Sequence, residues 1–352
     1  MLSFLYKNIV SIPVVSFIIT SILIKVLVLN SLSFKLIDYP DNRKIHDRGI
    51  PLVGGVAIFL NFIFYVFILF GFPIFSSYSY LFLSLFFIFL LGLFYDVKGL
   101  NAHQKILFQF LASILLVYGL DLDHFILFGF FSYYVNIFIL LCFIFGVCNS
   151  INLIDGIDGL AGCISIIILL EFIMFNVFFL DNQASVNIIL VILLGSLLAF
   201  IIYNRYPAKI FLGDSGSLFL GWFFTIISLF YIKSISSLSS MVASLIIVGV
   251  PAFDVLFVMK DRFLYSSKKS LLNRTLAMFI PDNRHIHHLF IKNGYSKKNT
   301  VIIICLLNIL FCFTMIVYCY YWKLNNIYFI LFILLVVYYF VRYFLIKKIN
   351  TI

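Results

Sequence analysis

Between positions 149 and 160 the chain reads Asn149-Ser150-Ile151-Asn152-Leu153-Ile154-Asp155-Gly156-Ile157-Asp158-Gly159-Leu160, with long apolar runs on either side. Two carboxylates three residues apart, beside two amides, suit a hard cation and the phosphate it carries, and the glycines let backbone approach a ligand. Asn, Asp and Gly also build ordinary turns, so a solvated loop between two spans is the plain alternative. In so apolar a chain that alternative is costly, because ionisable groups near membrane depth are rare and usually functional.

Five further clusters carry comparable chemistry. Asp38-Tyr39-Pro40-Asp41-Asn42-Arg43-Lys44-Ile45-His46 precedes Gly54-Gly55. Its Arg43, Lys44 and His46 suit phosphate, or form an ordinary basic loop. Tyr95-Asp96 ends an apolar run and is followed by His103, Gln104 and Lys105; Asp96 suits metal orientation or proton acceptance, or caps the next helix. Gly213-Asp214-Ser215-Gly216-Ser217 opens another run, where Asp214 suits a metal or a helix N-cap. Asp254 follows Pro251, which is expected to kink its span, and Lys260 or Arg262 is its expected partner. Finally, Arg284-His285-Ile286-His287-His288 lies in a long basic loop. The H-x-H-H cluster could bind zinc, but Arg and His together fit a pyrophosphate site better.

The elements that position these groups are membrane helices. The 352 residues are 64% hydrophobic and 11% charged, against roughly 25% charged in soluble domains. Apolar runs of about 20 residues span a bilayer. The pattern predicts an all-α, polytopic integral membrane protein with about eleven transmembrane helices, near 9–33, 52–70, 79–95, 104–120, 134–150, 159–180, 184–203, 215–232, 238–259, 299–321 and 326–346. No repeat is evident, so the whole of 1–352 reads as one domain. The first run is too long for a signal-peptide core and has no small-residue cleavage site after it. The six cysteines lie in or beside spans without metal spacing, and the single Glu, Glu171, lies within a span.

Orientation follows from positive charge. With the N-terminus outside and the C-terminus cytoplasmic, twenty Lys and Arg fall inside and only Lys7, Lys233 and Lys323 outside. The net charge of +10 is then a cytoplasmic layer and not a nucleic-acid footprint. The segments 34–51, 95–105, 149–158, 204–214 and 260–298 all reach the cytoplasmic face. A transporter would spread ionisable groups along a path through the bilayer; here they gather at one face, as an enzyme with a cytoplasmic substrate requires. Carboxylates for a cation and bases for phosphates serve phosphoryl transfer, which depends on positioning and charge neutralisation.

In order and placement these motifs resemble the polyprenyl-phosphate N-acetylhexosamine-1-phosphate transferases, the WecA/TagO branch of the MraY-like glycosyltransferase family 4. The resemblance runs from about residue 35 to 300 through DYPDNRKIHDRGIPLVGG, GLFYDVKGLNAHQK, NSINLIDGIDGLAG, FLGDSGSLFLG, VPAFD and RHIHH. It implies transfer of N-acetylhexosamine-1-phosphate from a UDP-sugar, most simply UDP-GlcNAc, to undecaprenyl phosphate with release of UMP. That would be the first membrane step of a cell-surface polysaccharide pathway in the bacterial cytoplasmic membrane. It also implies Mg2+ (or Mn2+), membrane-lipid contacts and a homodimer, although no interface signal is visible.

Residue by residue, the resemblance makes Asp214 and Asn152 metal ligands and Asp96, Asp155, Asp158, Lys105 and His285 catalytic. It places Arg43, Lys44, His46, Asn149, Asn152, Arg284, His287 and His288 on the substrate. The related phospho-MurNAc-pentapeptide transfer is the alternative activity. One departure stands out: where the family usually has two adjacent acids, this chain has Tyr95-Asp96. The departure also admits a catalytically impaired paralogue. With an acid missing there, Asp155 and Asp158 are expected to carry more of the metal positioning.

Overall fold

Long runs of Leu, Ile and Phe with no water to bond must satisfy every backbone amide internally, which in a bilayer means helices. The computed structural model describes residues 10–39, 48–99, 102–120, 133–179, 184–235, 238–264, 283–322 and 326–350, with 270, 274 and 278. Arg43, Lys44 and His46 lie outside the described residues.

The chain runs through α1 (Ser11–Asn30), a two-residue ribbon of β1 (Ile37–Asp38) and β2 (Ile50–Pro51), α2 (Gly54–Phe70), α3 (Phe72–Ser77), α4 (Ser79–Lys98) and α5 (Ala102–Gly119). It continues through α6 (Tyr133–Ile154), α7 (Leu160–Phe179), α8 (Ala184–Asn204), α9 (Gly213–Ile235), α10 (Leu238–Val248) and α11 (Val250–Leu264). The last elements are α12 (Ile286–Lys292), α13 (Lys297–Trp322) and α14 (Ile327–Asn350). The ribbon is antiparallel, with Ile37 opposite Pro51.

A helix stands at each of the eleven expected spans. By length and apolarity, eight of the described helices cross a membrane, or nine if the bent pair α10–α11 is one span. The remaining two positions hold shorter apolar helices, Gly54–Phe70 and, within α5, Gln104–Gly119. The chain is therefore an all-α, multi-pass membrane protein.

Helix α9 is the spine. Its spanning window is 89% buried, against 22% for α1 and α14 at the periphery, and it packs on α2, α4, α6, α7 and α10. Small polar groups fasten the outer layer. Asn61 on α2 donates to Ser16 on α1 and Ser196 on α8, both at 2.8 Å, and Ser16 donates to the Ile192 carbonyl at 2.6 Å. Interhelical hydrogen bonds of this kind help association where hydrophobicity gives no preference between helix and lipid.

The ninth expected span is broken, not kinked. Helices α10 and α11 meet at 95° at Gly249, whose φ of +66° suits glycine. The break lies before Pro251, which sits in the first turn of α11, where its missing N–H leaves no vacancy. The freed Val250 N–H donates to Asn308 Oδ1 on α13 at 2.8 Å. Burial without a partner costs an amide roughly 1–3 kcal/mol. Asn308→Leu is therefore expected to lower the stability of the detergent-solubilised chain by about 1–3 kcal/mol, read from thermal unfolding; an unchanged midpoint would show that the break needs no such partner.

Candidate active site

Helices α4, α6 and α8 end, and α5 and α9 begin, at the same end of the bundle. The first constraint there is the start of α9, whose leading N–H groups have no intrahelical acceptor. Asp96, in the last turn of α4, accepts from Asp214 N at 2.7 Å with one oxygen and from Ser215 N at 3.0 Å with the other. Gly213 lies against this carboxylate, where a Cβ would meet Asp96 Oδ2 at 2.6 Å. Asp96 thus caps a helix more than a hundred residues away instead of the one that follows it. Both of its oxygens are engaged by backbone amides.

That cap directs Asp214 sideways. Its Oδ1 accepts from Lys105 Nζ at 3.1 Å and from Asn152 Nδ2. Lys105 Nζ also donates to Asn152 Oδ1 at 2.7 Å, and Asn152 Nδ2 to Ser217 Oγ at 2.8 Å. Asn152 is therefore the bridge between Lys105 and Asp214. Lys105 sits 5.1 Å from the centroid of the Tyr95 ring, a cation–π contact at the position where a second acid was expected. Asn149 pairs reciprocally with Gln109, both contacts at 3.1 Å. Gln109 carries no signal in the sequence, because a lone Gln in an apolar helix belongs to no motif.

The turn between α6 and α7 carries the other two acids. Asp158 accepts from Ala208 N at 3.1 Å, and Asn204 accepts from Gly159 N at 3.0 Å. Asp158 therefore pins the turn to the segment that leads into α9. Asp155 has no hydrogen-bond partner among the described residues and faces the cavity. Loss of hydration, then the charges of Asp214, Asp96 and Asp158, push its carboxyl up to about 8. Crowded carboxylates with too few donors are the surroundings that a cation relieves.

Past α11 the histidine cluster enters. His285 Nδ1 contacts Asp254 Oδ2 at 2.6 Å, so the partner of Asp254 is this histidine, with Arg342 at 3.1 Å, in place of Lys260 or Arg262. His285 Nε2 is buried and without a partner among the described residues. His287 is buried too, and its ring lies over Gly156, the glycine beside Asp155. Burial, then the neighbouring His288, hold its pKa down at about 3, so it is neutral at physiological pH. It supports the acidic turn from behind and does not line the cavity.

A cavity of about 1450 Å³ joins these parts, lined by Asp96, Lys105, Asn149, Asn152, Asp155, Asp158, Asp214, His285 and His288. Arg284, whose guanidinium reaches the Asp261 carbonyl at 3.4 Å, is not on its wall. One side of the cavity is polar; the other is apolar, with Phe110, Phe138, Ile139 and Phe145. Single-ligand pockets hold roughly 300–1,000 Å³, and this one is larger.

Residues 78–232 match the model of glycosyl transferase family 4. Over 317 residues the chain is 32% identical to a probable undecaprenyl-phosphate N-acetylglucosaminyl 1-phosphate transferase of Bacillus subtilis, covering 86% of this chain and 84% of that protein. The chain belongs to glycosyl transferase family 4. It is also 26% identical over 302 residues to the undecaprenyl-phosphate alpha-N-acetylglucosaminyl 1-phosphate transferase of Thermotoga maritima, covering 85% of this chain and 86% of that protein. The Escherichia coli K12 protein of the same description is 26% identical over 296 residues, 77% of this chain and 73% of its own.

Mg2+ keeps several waters and takes one or two carboxylates plus substrate phosphates, and Asp155 and Asp214 present two carboxylates to the cavity of this family 4 transferase. No group of three or more His, Cys, Asp or Glu that could hold a metal is found among the described residues.

The raised carboxyl of Asp155 has a measurable sign. Unfolded, an Asp ionises near 4, whereas here the proton stays until about 8. The folded state therefore binds the extra proton between pH 4 and 8, and its stability falls as pH rises through that window. In EDTA, Asp155→Asn should flatten the fall of the thermal midpoint between pH 5 and 8; an unaltered slope would assign the fall to other groups.

Proposed function

We propose that this chain transfers N-acetylglucosamine-1-phosphate from UDP-N-acetylglucosamine to undecaprenyl phosphate at the cytoplasmic face of the bacterial inner membrane, as the first membrane step of a cell-surface polysaccharide pathway. The observation that carries it is the Lys105–Asn152–Asp214 cluster beside Asp155, set on one wall of a cavity whose other wall is apolar. The names of the relatives supply undecaprenyl phosphate and the N-acetylglucosaminyl 1-phosphate group, and the distribution of Lys and Arg supports the orientation.

A phosphate oxygen of the lipid attacks the β-phosphorus of the nucleotide sugar, and the bond from that phosphorus to the bridging oxygen breaks. UMP leaves with that oxygen, and the polyprenyl-diphospho-sugar stays in the membrane. A phosphate monoester has a second pKa of about 6 and is already a dianion near neutral pH. No strong base is needed, which agrees with an Asp96 engaged in capping and with Tyr95 in place of an acid.

The tasks that remain are positional. Lys105, held beside the cavity by Asn152 and Asp214, places its ammonium on the diphosphate. His285 offers Nε2, and His288 lies on the same wall. Asp155 and Asp214 would hold Mg2+, which neutralises diphosphate charge when bound. The apolar wall takes the first isoprene units and aligns the lipid phosphate.

Membranes containing the chain, given labelled UDP-N-acetylglucosamine and undecaprenyl phosphate, should form lipid-linked sugar and UMP, with both lost in EDTA. Absence of product with every UDP-N-acetylhexosamine would overturn the reading. Asp214→Asn should cut turnover by about 100-fold or more, the range seen when one electrostatic contact to a transition state is removed. In the same assay, Tyr95→Asp should leave turnover within about threefold, because the nucleophile is already ionised; a large gain would show that the missing acid limits the rate.

A further inference from the structure

The matched family region ends at residue 232, yet His285 is held by groups well beyond it. Asp254, on α11, is 1% exposed, and a carboxylate so buried must be paired and fully hydrogen-bonded. Its Oδ1 accepts three donors: Tyr338 OH at 2.7 Å, Ile286 N at 3.0 Å and Arg342 Nη1 at 3.1 Å. Its Oδ2 is left to His285 Nδ1, at 2.6 Å.

Arg342 is itself fixed. Its Nε and Nη2 both reach Asp261 Oδ2, at 3.2 and 3.0 Å. Asp254 and Asp261 stand seven residues apart, on one face of α11, and the guanidinium bridges them. A planar fork suits two carboxylates in a way that a lysine ammonium cannot reproduce. Tyr338 and Arg342 both belong to α14, and a second tie joins this helix to the end of α12, where Asn293 Nδ2 donates to the Leu345 carbonyl at 3.0 Å.

We propose that Arg342 and Tyr338, on the last helix, are positioning residues for His285. By saturating Oδ1 of Asp254 they turn Oδ2 onto His285 Nδ1, so that Nε2 is the ring atom offered to the cavity. Two observations meet here. Nε2 of His285 is a buried polar atom without a partner among the described residues, and His285 lines the cavity. A bland ion-pair lock between α11 and α14 would need the Arg342–Asp261 contact alone; it would not need three donors converging on one oxygen of a histidine-binding carboxylate. Catalytic histidines are commonly held in one tautomer and orientation by such a carboxylate.

The kinetic part of the test rests on the transferase reading above; the spectroscopic part does not. In the full-length chain in detergent, Tyr338→Phe and Arg342→Lys should each lower kcat roughly tenfold, the lower end of the loss when a partner that orients a histidine is removed, with KM for the nucleotide sugar nearly unchanged. In a His285→Ala background the same substitutions should cost nothing further, since groups that act through one another are non-additive. Equal losses in both backgrounds would mean a structural lock and overturn the proposal.

Independently, with the histidines 15N-labelled, the Nδ1–H of His285 should give a slowly exchanging signal that His285→Asn removes. Its exchange should quicken at least severalfold in Tyr338→Phe and Arg342→Lys; unchanged protection in both would also overturn the proposal. A chain that turns over no UDP-N-acetylhexosamine refutes the transferase reading and leaves the spectroscopic comparison to decide the positioning role.

Discussion

The carboxylate of Asp96 closes the N-terminus of α9 with both of its oxygens, and the geometry of the site follows from that contact. The first amides of a buried helix carry partial positive charge and no acceptor, so an anion at that point is strongly favoured. Supplied by the end of α4, it locks two helices at one level and leaves the side chain of Asp214 to project from the first turn toward α5 and α6. Had Asp214 folded back to cap its own helix, Lys105 and Asn152 would have lost their common acceptor.

From there the site is a problem of balancing charge near a bilayer. Four acids, Asp96, Asp155, Asp158 and Asp214, share one wall of the cavity, and each is satisfied differently. Two are answered by backbone amides, one by a lysine and an asparagine, and Asp155 by nothing among the described residues. The unanswered acid, beside one held by a movable ammonium, is where a hydrated divalent cation gains most. Tyr95 fits this balance. A further carboxylate there would add to the excess, whereas an aromatic face gives Lys105 a second resting contact without a negative charge.

The broken span does a different service. An uninterrupted helix through 238–264 would run straight through the bundle; the 95° bend at Gly249 instead lays α11 across it, with α11 packed on α6. The bend is tolerated because Asn308 takes up the freed amide. It also brings Asp254 and Asp261 to face α14. The histidine cluster, distant in sequence from the acidic turn, reaches it because α12 is anchored on this surface and because Gly156 leaves room for the ring of His287.

What the sequence by itself determined is whatever depends on local composition. A helix stands at every predicted apolar run, the membrane class follows from 64% hydrophobic residues, and the motifs that line the cavity are the polar clusters that such a chain does not keep without a use. The roles within those clusters were decided only by tertiary structure. Asp96 and Asp214 look alike in sequence, as acids beside glycines at helix ends, yet one caps and the other is presented to the cavity. Asn152 joins Lys105 to Asp214, and His287 is buried against Gly156, placements that no spacing in the sequence indicates. Gln109, Tyr338 and Arg342 carried no signal, because a lone polar residue in an apolar helix has no local pattern. Spacing along a chain reports which groups share a helix face, but a hydrogen bond depends on which distant partner arrives at the other end of it, and the partners of Asp96 lie 118 and 119 residues away.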